Sequence, residues 1–304
     1  MATPAATNEV SQAKEMPVNL CSRVNANLRL EFLRNAATGA TYLAGSEQEP
    51  PLKVVRAFSL QDRTSLVHLH NVSGGLLGGD QLTQRIILGE RTSVQVTTTG
   101  ATRIYHHRPG FSPTTQHNEW NIGKDALLEF LPDATIPFGG ARYQQFSSIL
   151  LTEGAGLFWW EILSPGREAR GELFRYDVLE VRTRIHAAGK IIAAENLRLQ
   201  PAAADVNSLS RLGPYRYLAT FCVCRVGLPA SVWRTAEDYL REQTVGLGQG
   251  GEMLWGVSSL VAHGLVVRCL AKHGRDILPG LRTVWQAAKR HLYDRDAIPP
   301  RKVN

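Results

Sequence analysis

The chain has little cysteine, and its cysteines lack the spacing of a redox or zinc centre. The 304 residues contain four cysteines, and no two of them form a C-x-x-C pair: Cys21, Cys222, Cys224 and Cys269. So few cysteines in a chain of this length do not make a disulfide framework, and a reducing compartment is expected. Cys222 and Cys224 share one face of an apolar segment, so we expect them to be buried, unreactive thiols.

Long hydrophobic runs are also missing. The longest weakly polar stretch, Leu254 to Val267, is interrupted by two serines and a histidine, whereas a membrane-spanning helix needs about 20 apolar residues. The first seventeen residues contain neither the apolar core of a signal peptide nor the arginine-rich pattern of a transit peptide. We therefore expect no membrane association.

Charge of one sign is in only modest excess. The chain carries 34 basic and 27 acidic residues, a net charge of +7, and the basic side chains are scattered singly, which argues against a nucleic-acid-binding stripe. A mildly basic surface favours docking on acidic protein partners. With 43% hydrophobic residues the chain can bury a large core, and we predict a flexible tail over residues 1–20 followed by a single domain over residues 21–304.

Motifs of nucleotide-binding and hydrolytic enzymes are incomplete. Gly246, Gly248 and Gly251 match G-x-G-x-x-G, but they follow a predicted helix where the dinucleotide motif requires a strand. The glycine-dense segment Gly74–Asp80 lacks the Lys-Ser or Lys-Thr of a phosphate loop, and no G-x-S-x-G elbow is present. No catalytic residue is recognised. A β-rich hydrolase or lyase with an unrecognised acid/base site stays as the alternative.

Most of the sequence alternates apolar and polar residues, as half-buried strands do. In the segment Leu179 to Ile185, three apolar residues fall on one face and three charged residues on the other. Similar runs, separated by glycine-containing turns, extend from about Leu28 to Val226. We predict a mainly β fold, a large sandwich or β-helical-like domain, and periodicity does not choose between these two architectures.

Helical spacing occurs only near the C-terminus. It predicts one helix near residues 230–243 and a second near residues 277–293, each with an apolar stripe. We expect Asp276 to cap the second helix and Pro279 to lie in its first turn. The stripe of the second helix is consistent with either core or interface.

Two clusters of side chains allow both an ordinary and a functional interpretation. His68 and His70 point to one face of a predicted strand and have the geometry to share a metal ion, but no third and fourth ligand follows at a recognisable spacing. We favour a pair of ordinary histidines. The segment Phe158–Trp160 fits strand core, or the exposed ligand-binding face of a sugar-binding β module.

Five blocks carry a resemblance to a known family. Asn71–Asp80 is glycine-rich and ends in Gly-Gly-Asp before a predicted strand, and Thr97–Tyr105 is a threonine-rich strand. The remaining blocks follow in order: Leu128–Pro132 with Thr135–Phe138, Pro165–Glu172, and the C-terminal pieces Leu265–Arg268 and Pro299–Arg301. Together they resemble the urease accessory protein D (UreD/UreH) family over roughly Leu30 to Arg301. An ordered set of blocks is harder to meet by chance than one short motif.

The resemblance implies a cytoplasmic, non-enzymatic chaperone that helps to load nickel into apo-urease. The implied partners are a UreF-like helical accessory protein, a UreG-like GTPase and apo-urease, with no nucleic acid and no membrane. Whether the chain is dimeric in that complex is left open. The resemblance implies no tightly bound cofactor, because nickel would pass transiently through a water-filled tunnel.

We place Asp80, Thr102 and Glu172 along this nickel path. Asp80 and Glu172 each end a glycine-bearing block, and oxygen ligands of this kind suit weak visits by a divalent cation. Ordinary turn carboxylates are the alternative for both, since aspartate is common beside glycine turns. We also predict that the glycines of Asn71–Asp80 form a tight corner with positive φ between two strands.

Overall fold

The structure is a computed structural model that describes residues 24–300. The predicted tail over residues 1–20, Cys21 and the last four residues lie outside the described residues. The described residues form two α-helices, α1 (Ala230–Leu247) and α2 (Gly274–Tyr293), and eighteen strands. The strands are β1 Asn25–Arg34, β2 Thr41–Gln48, β3 Leu52–Lys53, β4 Ala57–Ser59, β5 Ser65–Asn71, β6 Gln81–Leu88, β7 Ser93–Thr98, β8 Thr102–Ile104, β9 Thr114–Ile122, β10 Leu127–Phe130, β11 Thr135–Pro137, β12 Arg142–Leu151, β13 Gly156–Leu163, β14 Val178–Ala187, β15 Lys190–Leu199, β16 Tyr217–Arg225, β17 Met253–Ser259 and β18 Gly264–Ala271.

Two sheets organise these strands. Sheet A has the order β15-β14-β12-β9-β6-β1-β2, and the main path of sheet B is β17-β18-β16-β13-β10-β7-β5-β3. From β5 to β14 the chain steps back and forth between the sheets, so that successive visits to one sheet lie side by side and parallel. The architecture is therefore a β-helical coil, one of the two predicted options. The prediction of a mainly β fold with two C-terminal helices is confirmed.

The central strands of sheet B are buried on both faces. Along β13, Trp159 faces sheet A and contacts Trp120 there, with ring centroids 5.3 Å apart. Its neighbour Trp160 faces the opposite way and contacts Trp285 of α2 at 6.1 Å. Phe158 is also fully buried. The three aromatic residues are therefore strand core, and the alternative of an exposed sugar-binding cluster is wrong.

The helices cover the face of sheet B that points away from sheet A. Both predicted helices are present, and the stripe of α2 is core, since Leu281, Trp285 and Leu292 are buried against the sheet. The prediction that Asp276 caps α2 is wrong. His273 precedes the helix and Asp276 lies in the first turn, where a carboxylate interacts with the helix dipole instead of capping. Because α2 begins at Gly274, Pro279 falls in the second turn.

The three described cysteines are buried, which confirms the prediction made for Cys222 and Cys224. Cys222 and Cys224 lie in the layer between the sheets, and Cys269 lies under the helices. Burial raises the pKa of the Cys222 thiol and raises that of Cys224 to about 12, so thiolate chemistry is disfavoured at both positions. Within residues 24–300, neither helix is long and apolar enough to cross a membrane.

Candidate functional site

A row of polar side chains crosses the inner face of sheet A, where apolar residues are the rule. Strand register pairs Gln84 with Asn118, Asn118 with Ser147, and Ser147 with Thr183, so the four lie side by side on β6, β9, β12 and β14. None is more than 4% exposed. Buried polar groups are destabilising unless they are hydrogen-bonded. We call these four residues the amide row. Their polar atoms require hydrogen-bond partners, which are either other members of the row or water or a ligand beside it.

The amide row is only partly satisfied by its neighbours. Asn118 Nδ2 donates to Ser147 Oγ at 3.0 Å, and Gln116 Nε2 donates to Asn118 Oδ1 at 3.0 Å. Gln84 Oε1 and Thr183 Oγ1 are buried without a hydrogen-bond partner among the described residues. Unpaired buried oxygens of this kind indicate places where ordered water or a hydrated cation is expected.

A cavity of about 250 Å³, partly open to solvent, lies beside the row between the two sheets, and we call it the interior cavity. Gln84, Asn118 and Gln145 line it from sheet A, and Trp159 and Glu161 line it from sheet B. A volume of this size holds several water molecules, each of which occupies about 30 Å³ in the liquid. The interior of this β-coil is therefore polar and hydratable along part of its length.

Glu161 places a carboxyl group in this layer. Along β13, Leu157, Trp159 and Leu163 have the same phase and pack between the sheets, so Glu161 points inward where an apolar residue would fit. The side-chain amide of Gln145 donates to it, and no described cation forms an ion pair with it. Burial raises the pKa of Glu161 to about 7. A cation beside this carboxyl would favour its charged form.

Glu161 also lines a second opening. A side groove of about 690 Å³ lies between the edge of sheet A formed by β14 and β15 and the edge of sheet B formed by β16, β18 and β17. Glu161, Glu195, Leu254 and Arg268 are among its lining residues. Arg268 of sheet B donates to Glu195 of sheet A across this groove. The same carboxyl group is thus shared by the interior cavity and the side groove.

The three predicted path residues occupy different surroundings. Thr102 lines the interior cavity, and its backbone N–H donates to the Ala134 carbonyl at 3.0 Å. Asp80 is buried outside the cavity lining and accepts a hydrogen bond from the Leu77 backbone N–H at 2.8 Å. It closes the glycine-rich turn. The structure therefore does not bring Asp80 and Thr102 into one cavity wall.

Glu172 is engaged by an arginine in a loop outside the cavity lining. Arg167 donates to both of its carboxylate oxygens, with Nε at 2.7 Å from Oε2, and the Gly139 backbone N–H donates to Oε2 at 3.1 Å. Hydrogen bonding from Arg167 is the main cause of the lowered pKa of Glu172. The next residue, Gly140, accepts a hydrogen bond from His107, which packs against Gly78. The loops of Glu172 and Asp80 are thus linked through this intervening loop.

The glycine-rich segment forms the predicted tight corner. Gly74 and Gly79 have φ angles of 75° and 93°, a region that strains residues with a Cβ. A Cβ at Gly79 would stand 2.8 Å from Cδ1 of Phe111. Both the backbone conformation and the close aromatic ring therefore require glycine here.

Sequence reasoning missed Glu161 and the amide row. Their signal is present in the strand alternation, because Gln84, Asn118 and Glu161 occupy the phase that apolar neighbours otherwise fill. A polar residue at an inward position of a strand is a stronger functional indication than a polar residue in a turn. The structure adds no further metal ligand beside His68 and His70 among the described residues. Among residues 24–300, no three His, Cys, Asp or Glu side chains are grouped to hold a metal ion.

Comparison with known proteins identifies the family. The family model described as UreD urease accessory protein matches residues 24–304. The chain belongs to the UreD family. It is 44% identical over 281 residues to the urease accessory protein UreD of Herpetosiphon aurantiacus, covering 92% of this chain and 97% of that protein.

More distant UreD relatives also match along most of their length. The urease accessory protein UreD of a Bacillus species is 26% identical, covering 86% of this chain and 93% of the relative. The corresponding protein of Lysinibacillus sphaericus is 27% identical over 84% and 92% of the two chains. Three of the five UreD-like blocks meet at one place in this fold, since the glycine-rich, threonine-rich and Leu-Pro segments all contribute to the wall of the interior cavity.

Proposed function

We propose that this protein is a non-catalytic nickel-insertion chaperone of urease, in which the interior cavity forms part of a path for the ion. Membership of the UreD family supports the urease context. The observation that carries the path is the inward carboxyl of Glu161, which lines both the interior cavity and the side groove. Nickel is the cargo in this account and not a resident cofactor.

The chemistry of the cavity suits transit better than storage. Tight sites for nickel or zinc are built from several imidazole or thiolate ligands. This cavity offers mainly amide oxygens and hydroxyls, with two carboxyl groups and the single imidazole of His70. Such ligands hold a hydrated divalent ion weakly. A weak site lets the ion leave again, which delivery requires.

Along this path we assign Thr102 and Glu161 to the cavity wall. Asp80 and Glu172 remain proposed weak nickel ligands in the two linked loops outside the cavity, where Arg167 donates a hydrogen bond to Glu172. Nickel reaching Glu172 would have to compete with that arginine. We therefore expect Glu172 to contribute less to transit than Glu161.

The protein would act in the cytoplasm inside a larger complex. We propose a UreF-like helical accessory protein, a UreG-like GTPase and apo-urease as its partners. The GTPase would bind the nucleotide, because this chain has no phosphate-loop motif. The chaperone would catalyse no covalent step of its own.

Reconstitution tests this function. Urease subunits and the other accessory proteins are expressed with and without this chain, and urease activity and urease-bound nickel are measured. We expect both to fall strongly without the chain. Full activity and normal nickel content in its absence would reject the chaperone function.

Two further experiments distinguish the chaperone function from the alternative of a hydrolase or lyase. Tagged protein should retain the helical accessory protein or urease on purification, and loss of both partners would contradict the scaffold role. A β-rich hydrolase or lyase would instead turn over substrate as a purified single chain. The Glu161→Gln variant would abolish that turnover if Glu161 were its acid or base.

A further inference from the structure

A second cleft lies at the opposite end of the β-coil from the glycine-rich corner. Strands β1, β6, β9 and β12 are parallel, so their C-terminal ends lie together at one end of the β-helical coil. The loops after them, together with the end of α2, enclose a cleft of about 660 Å³. Five arginines line this arginine cleft: Arg34, Arg63, Arg91, Arg225 and Arg295.

Two of the guanidinium groups converge at Gly39. A Cβ at this position would stand 2.9 Å from Nη2 of Arg34 and 3.1 Å from Nη1 of Arg63. The two nitrogens are therefore at most about 6 Å apart, within the range where like charges repel measurably. Gly39 has a φ of 70° and lacks the side chain that would fill this space. The two exposed guanidinium groups are therefore placed to share one anion between them.

The described residues supply backbone partners but little opposite charge: Arg34 Nε donates to the Gly39 carbonyl at 3.2 Å, and Arg225 donates to the Leu292 carbonyl. None of the five arginines makes an ion pair with a described carboxylate. The cleft contains three aspartates, Asp62, Asp125 and Asp294, and Asp62 faces the buried Lys289 at 4.0 Å. The cleft thus keeps a positive excess made of groups suited to bidentate recognition of oxyanions.

The shape and composition of the cleft select among anions. It is too large for a single phosphate to fill, and its interspersed aspartates repel a dense polyanion. No free aromatic face is offered to a base, because Tyr293 is covered by Arg225 at 4.4 Å and His291 stacks on Tyr239 at 5.3 Å. A concave wall does not match a flat lipid surface. Carboxylates spaced along a peptide fit both the spacing and the sign of the arginines.

We propose that the arginine cleft binds a carboxylate-bearing segment of a protein partner. Arg34 and Arg63 clamp one carboxylate at Gly39, and Arg91 and Arg295 contact others along the segment. The proposal rests on the proposed function only in requiring a protein partner. It does not involve the nickel path, which lies at the other end of the coil.

The test uses purified full-length protein and a fluorescein-labelled peptide of alternating glutamate and serine. Binding is followed by fluorescence anisotropy at low and physiological salt, with the glutamine version of the peptide as a control. We expect the glutamate peptide to bind, with affinity falling as salt rises, and the glutamine peptide not to bind. Arg34→Gln/Arg63→Gln should weaken binding about tenfold, the effect of losing two surface charge pairs.

A matched control removes the same charge elsewhere. Arg184 and Arg234 are exposed, lie outside the arginine cleft, and also lack ion pairs, so Arg184→Gln/Arg234→Gln should change affinity less than about twofold. Arg295→Gln alters the opposite wall of the cleft and should weaken binding about threefold even if the first double variant folds poorly. No binding of the glutamate peptide would overturn the proposal. Equal losses in both double variants, or stronger competition by inorganic phosphate or ATP than by unlabelled glutamate peptide, would also overturn it.

Discussion

Two inward-pointing glutamates on neighbouring strands of sheet B have opposite environments, and Glu129 is fully buried whereas Glu161 is partly buried. Glu129 of β10 points toward the helices, where Lys289 of α2 lies 2.6 Å from its Oε1. Glu161 of β13 points toward sheet A, where its partner is the amide of Gln145 and no described cation is paired with it. One carboxyl group is neutralised within the protein, and the other faces a hydratable cavity.

The comparison distinguishes a polar group that stabilises the fold, Glu129, from one that we assign to function, Glu161. Gln95 donates to Glu129 at 2.9 Å and to the Ile298 carbonyl at 3.0 Å, so the Glu129–Lys289 pair ties sheet B to α2 and to the chain that follows it. Glu161, by contrast, is hydrogen-bonded to the side chain of Gln145 and does not connect a helix to the sheet. A partly buried carboxyl group without a cation partner is unfavourable, and its presence is explained if a cation passes through the cavity.

The largest expected effect comes from breaking the structural pair. Lys289→Met removes the cation that compensates the buried Glu129 carboxyl, which should lower the free energy of unfolding by about 3–5 kcal/mol. Urea unfolding measures the change. Adding Glu129→Gln to this variant should recover much of the loss, because the uncompensated carboxyl group is gone. A single variant as stable as the wild type would show that the pair does not stabilise the helix layer.

The pH dependence of stability distinguishes Glu161. Because the folded-state pKa of about 7 lies above the unfolded value of 4.5, the charged form is disfavoured in the folded protein. Stability is therefore fully present below pH 4.5 and falls as pH rises through about 7, by up to roughly 3 kcal/mol. Glu161→Gln should lack this loss.

The measurement compares unfolding of the two proteins at pH 5 and pH 8. The variant should gain stability relative to the wild type as pH rises. A constant difference across this range would place the pKa of Glu161 near its ordinary value and remove the contrast with Glu129.

The amide row should be suboptimal for stability. Gln84→Met keeps the approximate volume but removes the unpaired Oε1, so we expect the free energy of unfolding to rise by roughly 1–2 kcal/mol. The same variant should lower urease activation, because the cavity wall loses an oxygen. Gln81→Met, at an exposed position of the same strand, serves as the control and should change stability by less than about 0.5 kcal/mol. Loss of stability in Gln84→Met would mean that the amide is satisfied.

The smallest effect is expected at Glu172. Its ion pair with Arg167 is partly exposed, so Glu172→Ala should lower stability by less than about 1 kcal/mol. Urease activation in the reconstituted system should also decrease while the complex still assembles. Arg167→Gln removes the same ion pair but keeps the carboxylate, and it should preserve activation. Unchanged activation in Glu172→Ala would remove this residue from the nickel path.

Local sequence signals predicted the elements of the fold well. Alternation in Leu179 to Ile185 matches β14, because a half-buried strand must place its apolar residues on one face. The apolar stripe of α2 identified the helix, although Asp276 was assigned the wrong position because carboxylates are favoured both at caps and in first turns. These features depend on neighbouring residues alone.

Long-range features were not predictable in the same way. The alternate stepping of strands between two sheets, and the contact of Glu129 with Lys289, depend on register between segments far apart in sequence. The corner at Gly79 was predictable because positive φ favours glycine locally. The role of Glu161 was not, since only the folded layers reveal that its strand phase faces a cavity.

We propose that the carboxyl of Glu161, which has no cation partner among the described residues, serves nickel transit. The most direct test of this claim is urease activation with Glu161→Gln in the reconstituted system, with Glu90→Gln at an exposed turn as control. We predict normal assembly of the complex, with urease activity and urease-bound nickel both reduced by Glu161→Gln and unchanged by Glu90→Gln. Full activation and full nickel content with Glu161→Gln would contradict this account.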